Sequence, residues 1–297
     1  MTHSVRRASA VLFGSSLLWG LSWWPMKRLA EHGLDGLAMV AVAYGSVGLA
    51  ALVLLWLIRA QWRHQAGGLA VIVLVGGLAN FAFGLSLSAG DVIRVMALFY
   101  LLPVWGVLGG CLLLGERLTA ARAVSVVLAL GGAWLLLGGS KLLESPPSWV
   151  DLVAILSGFA FAMNNLAFRA FDSLPVAGKI GAMFVGCGAF AVVGLLLGVQ
   201  AFPAVSGGTL AGAVLFGFGG LLLATSLTQW AVTQLEAGRA SIIMVMELVG
   251  AVVSAAVLAG DRLQGWEWVG AGLILMGAVV EGVEFGSPPR GAGRTLL

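Results

Sequence analysis

Ten apolar stretches dominate this chain, at about 9–30, 36–58, 67–89, 92–114, 120–139, 149–170, 176–199, 208–233, 239–260 and 265–284. Each carries the roughly 20 helical residues that cross the hydrocarbon layer of a bilayer. Lipid offers no water to satisfy backbone N–H and C=O groups, so such runs must be helices. Barrel strands would alternate apolar and polar residues and be about half as long. Only 10% of the 297 residues are Asp, Glu, Lys or Arg, while 60% are hydrophobic, which leaves too few charges to coat a soluble domain of this size. The 44 glycines suit membrane helices whose backbones approach closely. A net charge of +3 gives no sign of a nucleic-acid partner. The first run follows Arg6 and Arg7 but is too long for the core of a leader and holds Trp19, Trp23 and Trp24, so it reads as a retained membrane helix.

The chain repeats itself. "LGERL" at 114–118 recurs as "AGDRL" at 259–263, an offset of 145. The same offset carries Asp91 onto Glu236, Arg94 onto Arg239, Val104 onto Val249, Gly115 onto Gly260, Arg117 onto Arg262 and Gly132 onto Gly277. "DVIR" and "LEAGR" each place an acid three residues before an arginine at a helix start, where a carboxylate suits the positive end of the dipole. Two repeats follow, 1–145 and 146–297, each holding five runs and together forming one integral transmembrane unit. Five is odd, so the second repeat enters the bilayer from the opposite side, as an inverted-topology pair. The acid and arginine pairs Glu116–Arg117 and Asp261–Arg262 are then expected as water-exposed boundary charges, since helix ends are where a membrane protein carries charge most cheaply.

Basic residues set the orientation. With the N-terminus cytoplasmic, Arg6, Arg7, Arg59, Arg63, Arg117, Arg122, Arg169, Lys179, Arg239, Arg290 and Arg294 fall inside, against Lys27, Arg28, Arg94, Lys141 and Arg262 outside. Eleven against five places both termini in the cytoplasm, with an even number of crossings of the cell's inner membrane.

"LLPVWGVLGGCLLLGERLTAARAVSVVLALGGAWLLLG" and "VMELVGAVVSAAVLAGDRLQGWEWVGAGLILMGAVV" resemble the doubled signature of the drug/metabolite transporter superfamily in its EamA-type branch of ten-helix exporters, and "LWGLSWW" is similar to that family's opening motif. The resemblance covers nearly the whole chain. It implies an all-α polytopic membrane protein, ten transmembrane helices in two inverted five-helix repeats around a central cavity, with helices 1, 3, 4, 6, 8 and 9 lining it and helices 5 and 10 peripheral. Within the branch the chain looks most like the YddG-type exporters of aromatic and other neutral amino acids. The second signature departs from the first, with Glu247 where the first has Leu102 and Leu248 where it has Pro103.

Polar groups at membrane depth are costly unless they face protein or a watery cavity, so each is a candidate. Glu247 lies eight residues into the ninth run with no basic residue within a turn or two. It is a candidate ligand for a substrate ammonium group or a proton site, and alternatively a carboxyl that fixes packing. Asn164 and Asn165 in the sixth run, Asn80 in the third, and Thr225, Thr228 and Gln229 in the eighth are candidate donors and acceptors, though such residues also serve as interhelical bridges. The pair Trp19 and Trp23, Phe81 and Phe83 beside Asn80, Phe99 and Tyr100 before Pro103, and Phe161 would give a cavity an aromatic lining, with Met96, Met163, Met244 and Met246 adding adaptable thioethers. Packing against lipid or neighbouring helices is the plainer use of such residues. The expected substrate-binding set is Trp19, Ser22, Trp23, Asn80, Phe83, Phe99, Tyr100, Asn164, Thr228, Gln229 and Glu247. Pro103, which removes the hydrogen bond to the Phe99 carbonyl, is the expected hinge.

Absent motifs narrow the function. No G-x-x-x-x-G-K-[ST], G-x-S-x-G or H-E-x-x-H occurs. His3, His32 and His64 lie at termini or loops, and Cys111 and Cys187 stand singly in apolar runs, so neither metal nor cofactor is expected. The reading is a secondary transporter, not an enzyme, exporting small amphiphilic metabolites, foremost aromatic and other neutral amino acids, by alternating access. It is expected as a monomer whose partners are its small-molecule substrate and the lipid bilayer. A drug or other metabolite exporter is the alternative, and an intramembrane enzyme or lipid-modifying scaffold a more remote one.

Overall fold

Where the runs begin and end, turn chemistry sets the boundaries. Ser206 accepts from the N–H of Thr209 and Thr119 from that of Arg122, each capping the helix that follows, and Gly115 ends another in the left-handed conformation. The computed structural model describes residues 3–140, 146–258 and 264–283. Arg290 and Arg294, Lys141, the repeat boundary at 145, and the second pair Asp261–Arg262 with Gly260 lie outside them. The helices are α1 (His3–Leu21), α2 (Trp23–Glu31), α3 (Gly36–Leu57), α4 (Arg59–Trp62), α5 (Ala66–Ala89), α6 (Val92–Phe99), α7 (Leu102–Leu114), α8 (Ala120–Leu136), α9 (Trp149–Ala170), α10 (Val176–Leu196), α11 (Gly207–Leu215), α12 (Leu222–Gln234), α13 (Ala237–Met244), α14 (Met246–Leu258) and α15 (Gly265–Val283). A π-helical segment, Phe216–Leu221, joins α11 to α12. No strand occurs among the described residues.

Seven helical segments are long and apolar enough to cross a membrane: Gly36–Leu57, Arg59–Leu87, Ile93–Leu114, Trp149–Ala170, Val176–Leu196, Gly207–Gln234 and Ala237–Leu258. Ala120–Leu136 is apolar but shorter. The first and last of the ten expected crossings fall outside this measure. α1 opens on Arg6 and Arg7 and is parted from α2 at Ser22, and α15 carries Glu267 and Glu281.

The packing couples the first half of the chain to the second. α10 lies along α3 and α5, α5 along α9, α1 along α12 and α14, α7 along α9 and α13, α6 along α9, and α15 along α8. Shifting by 145 residues carries α1 onto α9, α5 onto α11–α12, α7 onto α14, and α8 onto α15. Under that shift the pairing of α1 with α12 becomes that of α9 with α5, and α1 with α14 becomes α9 with α7. One strong pairing has no comparable partner. α7 packs closely on α13, whereas the equivalent pair, α14 and α6, does not pack to that extent. The asymmetry is confined to this pair, because at that other end the halves still meet through α6 and α9.

Glycines permit the closest crossings. At α8 and α15, a Cβ on Gly132 would fall 2.5 Å from the Gly270 carbonyl oxygen, and a Cβ on Gly270 would fall 2.8 Å from that of Gly132. Gly132→Leu is expected to destabilise the protein by about 1–3 kcal/mol through overpacking, read as a lower melting midpoint in detergent. Gly131→Leu, where a Cβ meets nothing within 4 Å, should leave that midpoint unchanged.

Candidate functional site

Two helices are broken at corresponding places. α6 stops at Phe99 and α7 starts at Leu102, while α13 stops at Met244 and α14 starts at Met246. The offset of 145 carries Tyr100 onto Val245. In the first break Pro103 supplies the cause, since its nitrogen has no hydrogen to donate to the Phe99 carbonyl. That carbonyl turns towards α9, where a Cβ on Gly158 would lie 2.5 Å from it. The second break has no proline. There the Val245 N–H reaches only back to Ile242 O, at 3.2 Å, and the Leu248 N–H to Val245 O, at 3.0 Å, so the turn tightens to three residues.

Glu247 follows this second break in the first turn of α14, where the helix dipole favours a carboxylate. α1 presses against it backbone to backbone, because a Cβ on Gly20 would stand 2.5 Å from the Glu247 carbonyl oxygen. The chain has only two tyrosines, and both Tyr44 of α3 and Tyr100 at the first break stand within electrostatic reach of the Glu247 carboxylate. The buried Tyr100 hydroxyl faces it without a hydrogen bond of standard geometry.

Around the first break the aromatic residues gather on Phe99. Its ring centroid lies 4.9 Å from Phe83, 5.7 Å from Phe161 and 5.3 Å from Tyr100, the last edge to face. A polar layer sits beside it. Gln229 donates to Asn165 Oδ1 at 3.0 Å, Asn165 donates to the Met244 sulfur at 3.5 Å, and Asn164 donates to the Met183 sulfur at 3.6 Å. Thr228 donates to Ser15 at 3.0 Å. Asn164 Oδ1, Gln229 Oε1 and Thr225 Oγ1 are buried with no hydrogen-bond partner among the described residues, the state expected of groups that take a ligand or a water. Met244 ends α13 three residues before Glu247, which joins the amide layer to the carboxylate.

The other expected residues stand apart from this grouping. Asn80 donates to the Gly76 carbonyl of its own helix at 3.0 Å. Trp23 donates to Ser254 of α14 at 2.8 Å. Trp19 and Ser22 line a crevice of about 290 Å³ between the α1–α2 junction and the π-helical segment.

The end of the bundle where α7 meets α13 is closed by charge. Glu116 accepts the N–H groups of Ala237 at 2.6 Å and Gly238 at 3.1 Å, so an acid from the first half caps a helix of the second. Arg169 lies 3.4 Å and Arg122 3.7 Å from that carboxylate. Arg122 also bonds Glu281 at 3.2 Å, the Arg117 carbonyl at 3.0 Å, and the Glu236 carboxylate. Arg239 lies 3.7 Å from Glu281. Side-chain exposure is 3% for Arg122, 4% for Glu116 and 0% for Glu281. The expectation of water-exposed boundary charges is corrected here for Glu116, which is withdrawn from solvent because α13 brings it two unsatisfied N–H groups; Arg117 is exposed as expected. The opposite end holds a simpler pair, Arg94 and Asp151, with bonds of 2.7 and 2.8 Å.

This doubled architecture has a counterpart among known sequences. The profile of the EamA-like transporter family matches residues 6–138 and again 148–281. The chain belongs to the EamA-like transporter family. The EamA-like chain also shares its fold with a solved crystal structure, at a TM-score of 0.75 and 19% identity over 93% of this chain and 98% of the other. No curated protein matches it. It is thus a membrane transporter of two EamA repeats, compatible in class with the exporters of metabolites and drugs.

Two features of this EamA-like transporter escaped the sequence. Tyr44 lies mid-run with no charged or amide neighbour to draw notice, and its being one of two tyrosines is what marks it. The six-residue charge cluster draws on five separate helices or their ends, and no local spacing announces it.

Proposed function

We propose that the protein is a secondary transporter that exports small amphiphilic metabolites, aromatic and other neutral amino acids foremost, by alternating access between two inverted five-helix repeats. The supporting observation is the asymmetry of the bundle. α7 and α13 are clamped by Glu116, Arg122 and their partners, while the equivalent α6 and α14 pack far less. Rocking the halves would exchange these two states, giving the site access first to one side and then to the other. On this reading ten helices cross the inner membrane, both termini are cytoplasmic, and the chain works as a monomer without a cofactor. The clamped end is then cytoplasmic, and the end where α6 and α14 pack less faces outward. Substrate would lie between the halves, its ammonium group on Glu247, its apolar side chain against Phe83, Phe99 and Tyr100, and its remaining polar atoms on Asn164, Thr228 and Gln229. Trp23 and Asn80 stand at the margin of this space, and Trp19 and Ser22 at its lateral edge, while Pro103 marks the hinge.

Purified protein in proteoliposomes, tested with a panel of labelled amino acids with and without a pH gradient, should move unaltered solute; chemical conversion without flux would replace the transporter by an enzyme. Reporter fusions should place the C-terminus inside, and an outside C-terminus would sink the topology. Single cysteines at Phe83, Phe99 and Glu247 should label from the outer aqueous side. If they stay unreactive while positions on α8 and α15 label, the cavity lies elsewhere.

A further inference from the structure

The crevice beside Trp19 lies at two irregularities of the bundle. One is the α1–α2 junction, where the Ser22 N–H bonds back only to Trp19 O at 2.9 Å; the other is the π-helical segment on the facing helix. Its walls include Leu18, Trp19, Ser22, Phe216, Leu221 and Leu223, with the Ser22 hydroxyl alone among these side chains bearing an oxygen. Leu18, Leu21 and Leu223 are exposed, on the outer side of the seam between α1 and α12. In a bilayer these leucines face hydrocarbon. A crevice with such walls offers water almost no partners and suits hydrocarbon instead. One turn further along, α2 presents Trp24, Lys27 and Arg28, all exposed. Arg28 lies over the Trp24 ring at 5.6 Å, an aromatic and a cation placed as at a headgroup boundary.

We infer that this seam is a binding site for an anionic phospholipid, with one acyl chain in the crevice and the phosphate on Lys27 and Arg28. Two cations beside an apolar slot select charge as well as hydrocarbon, since each basic residue at a membrane surface favours anionic lipid. Arg28 also pairs with Glu31 at 3.1 Å, so Lys27 carries most of the selectivity. The occupied seam joins α1–α2 of one repeat to α11–α12 of the other, the elements that must slide if the halves rock.

The test is photochemical. The full-length protein in nanodiscs of phosphatidylcholine receives a small fraction of phosphatidylglycerol bearing a diazirine in one acyl chain, and adducts are mapped by mass spectrometry after irradiation. Adducts on Leu18, Phe216 and Leu223 should exceed those on Leu112 and Leu196, which are more exposed elsewhere on the bundle, by about fivefold. The same diazirine on phosphatidylcholine should lose that excess, as should Lys27→Glu. Gly219→Phe fills the crevice from a position where a Cβ meets nothing within 4 Å, and should abolish the crevice adducts while Leu112 and Leu196 still label. Equal labelling of crevice and control residues, equal preference for the two lipids, or crevice adducts that survive Gly219→Phe would each overturn the inference.

Discussion

Arg122→Ala is expected to destabilise the folded protein by about 3–5 kcal/mol, the cost of stranding buried charge. Among the described residues Arg122 is the cation that touches all three of Glu116, Glu236 and Glu281. Its removal takes from Glu281 its partner at 3.2 Å, with Arg239 standing further off at 3.7 Å, and leaves Arg169 at 3.4 Å as the cation nearest Glu116 among the described residues. Detergent-extracted variant should show a large loss of monodisperse protein and a lowered melting midpoint. A second change, Glu281→Gln, should restore part of the loss by removing one stranded charge, and the non-additivity would measure the coupling. A fall no larger than that of an exposed arginine such as Arg117 would show that the cluster holds nothing. Glu116→Gln tests the clamp more gently. The carboxamide can still accept one N–H bond at α13 but no longer attracts Arg122 and Arg169, so a cysteine at Arg239 should become more reactive to aqueous reagents from that end. Unchanged reactivity would remove the clamp from the mechanism.

Glu247→Gln separates the roles that Glu247 can play in transport. If the carboxylate binds a substrate ammonium group, the change removes a charge-assisted hydrogen bond worth about 1.5–3 kcal/mol, and affinity should fall by about ten- to a hundredfold with or without a pH gradient. If it carries a coupling proton, exchange at equal concentrations should persist while accumulation driven by the gradient disappears, because the amide imitates the protonated acid permanently. Its isolation among neutral donors favours the first outcome, since proton relays commonly use several titratable groups. Transport per folded molecule equal to wild type, with affinity and pH response unaltered, would reduce Glu247 to a packing residue.

The chain's membrane character and helical rods were legible because apolar length and lipid physics leave few alternatives, and the doubled EamA signature because it is carried by local words. Pro103 announced the first break. The second was hidden, since Val245 and Leu248 are ordinary helix residues and the break there follows from packing against α1 at Gly20. The π-helical segment was equally silent; "FGFGGL" is apolar whichever way its carbonyls are bonded. Glu116 misled for a related reason. An acid at a helix end usually meets water, and only the arrival of α13 from 120 residues downstream gives it something better to bind. Trp19 and Trp23, an i,i+4 pair by spacing, were divided between different neighbours because the helix loosens at Ser22.

The cluster around Arg122 also bears on how the protein is made. Its first acid and its central cation are synthesised early, while Glu236 and Glu281 belong to the second half and Glu281 lies near the last residues of α15. During biogenesis Arg122 must therefore wait, hydrated or otherwise held, until α15 has been made. A chain cut short before α15 would keep Arg122 without its innermost acid. The finished cluster thus couples the burial of Arg122 to the arrival of the second repeat.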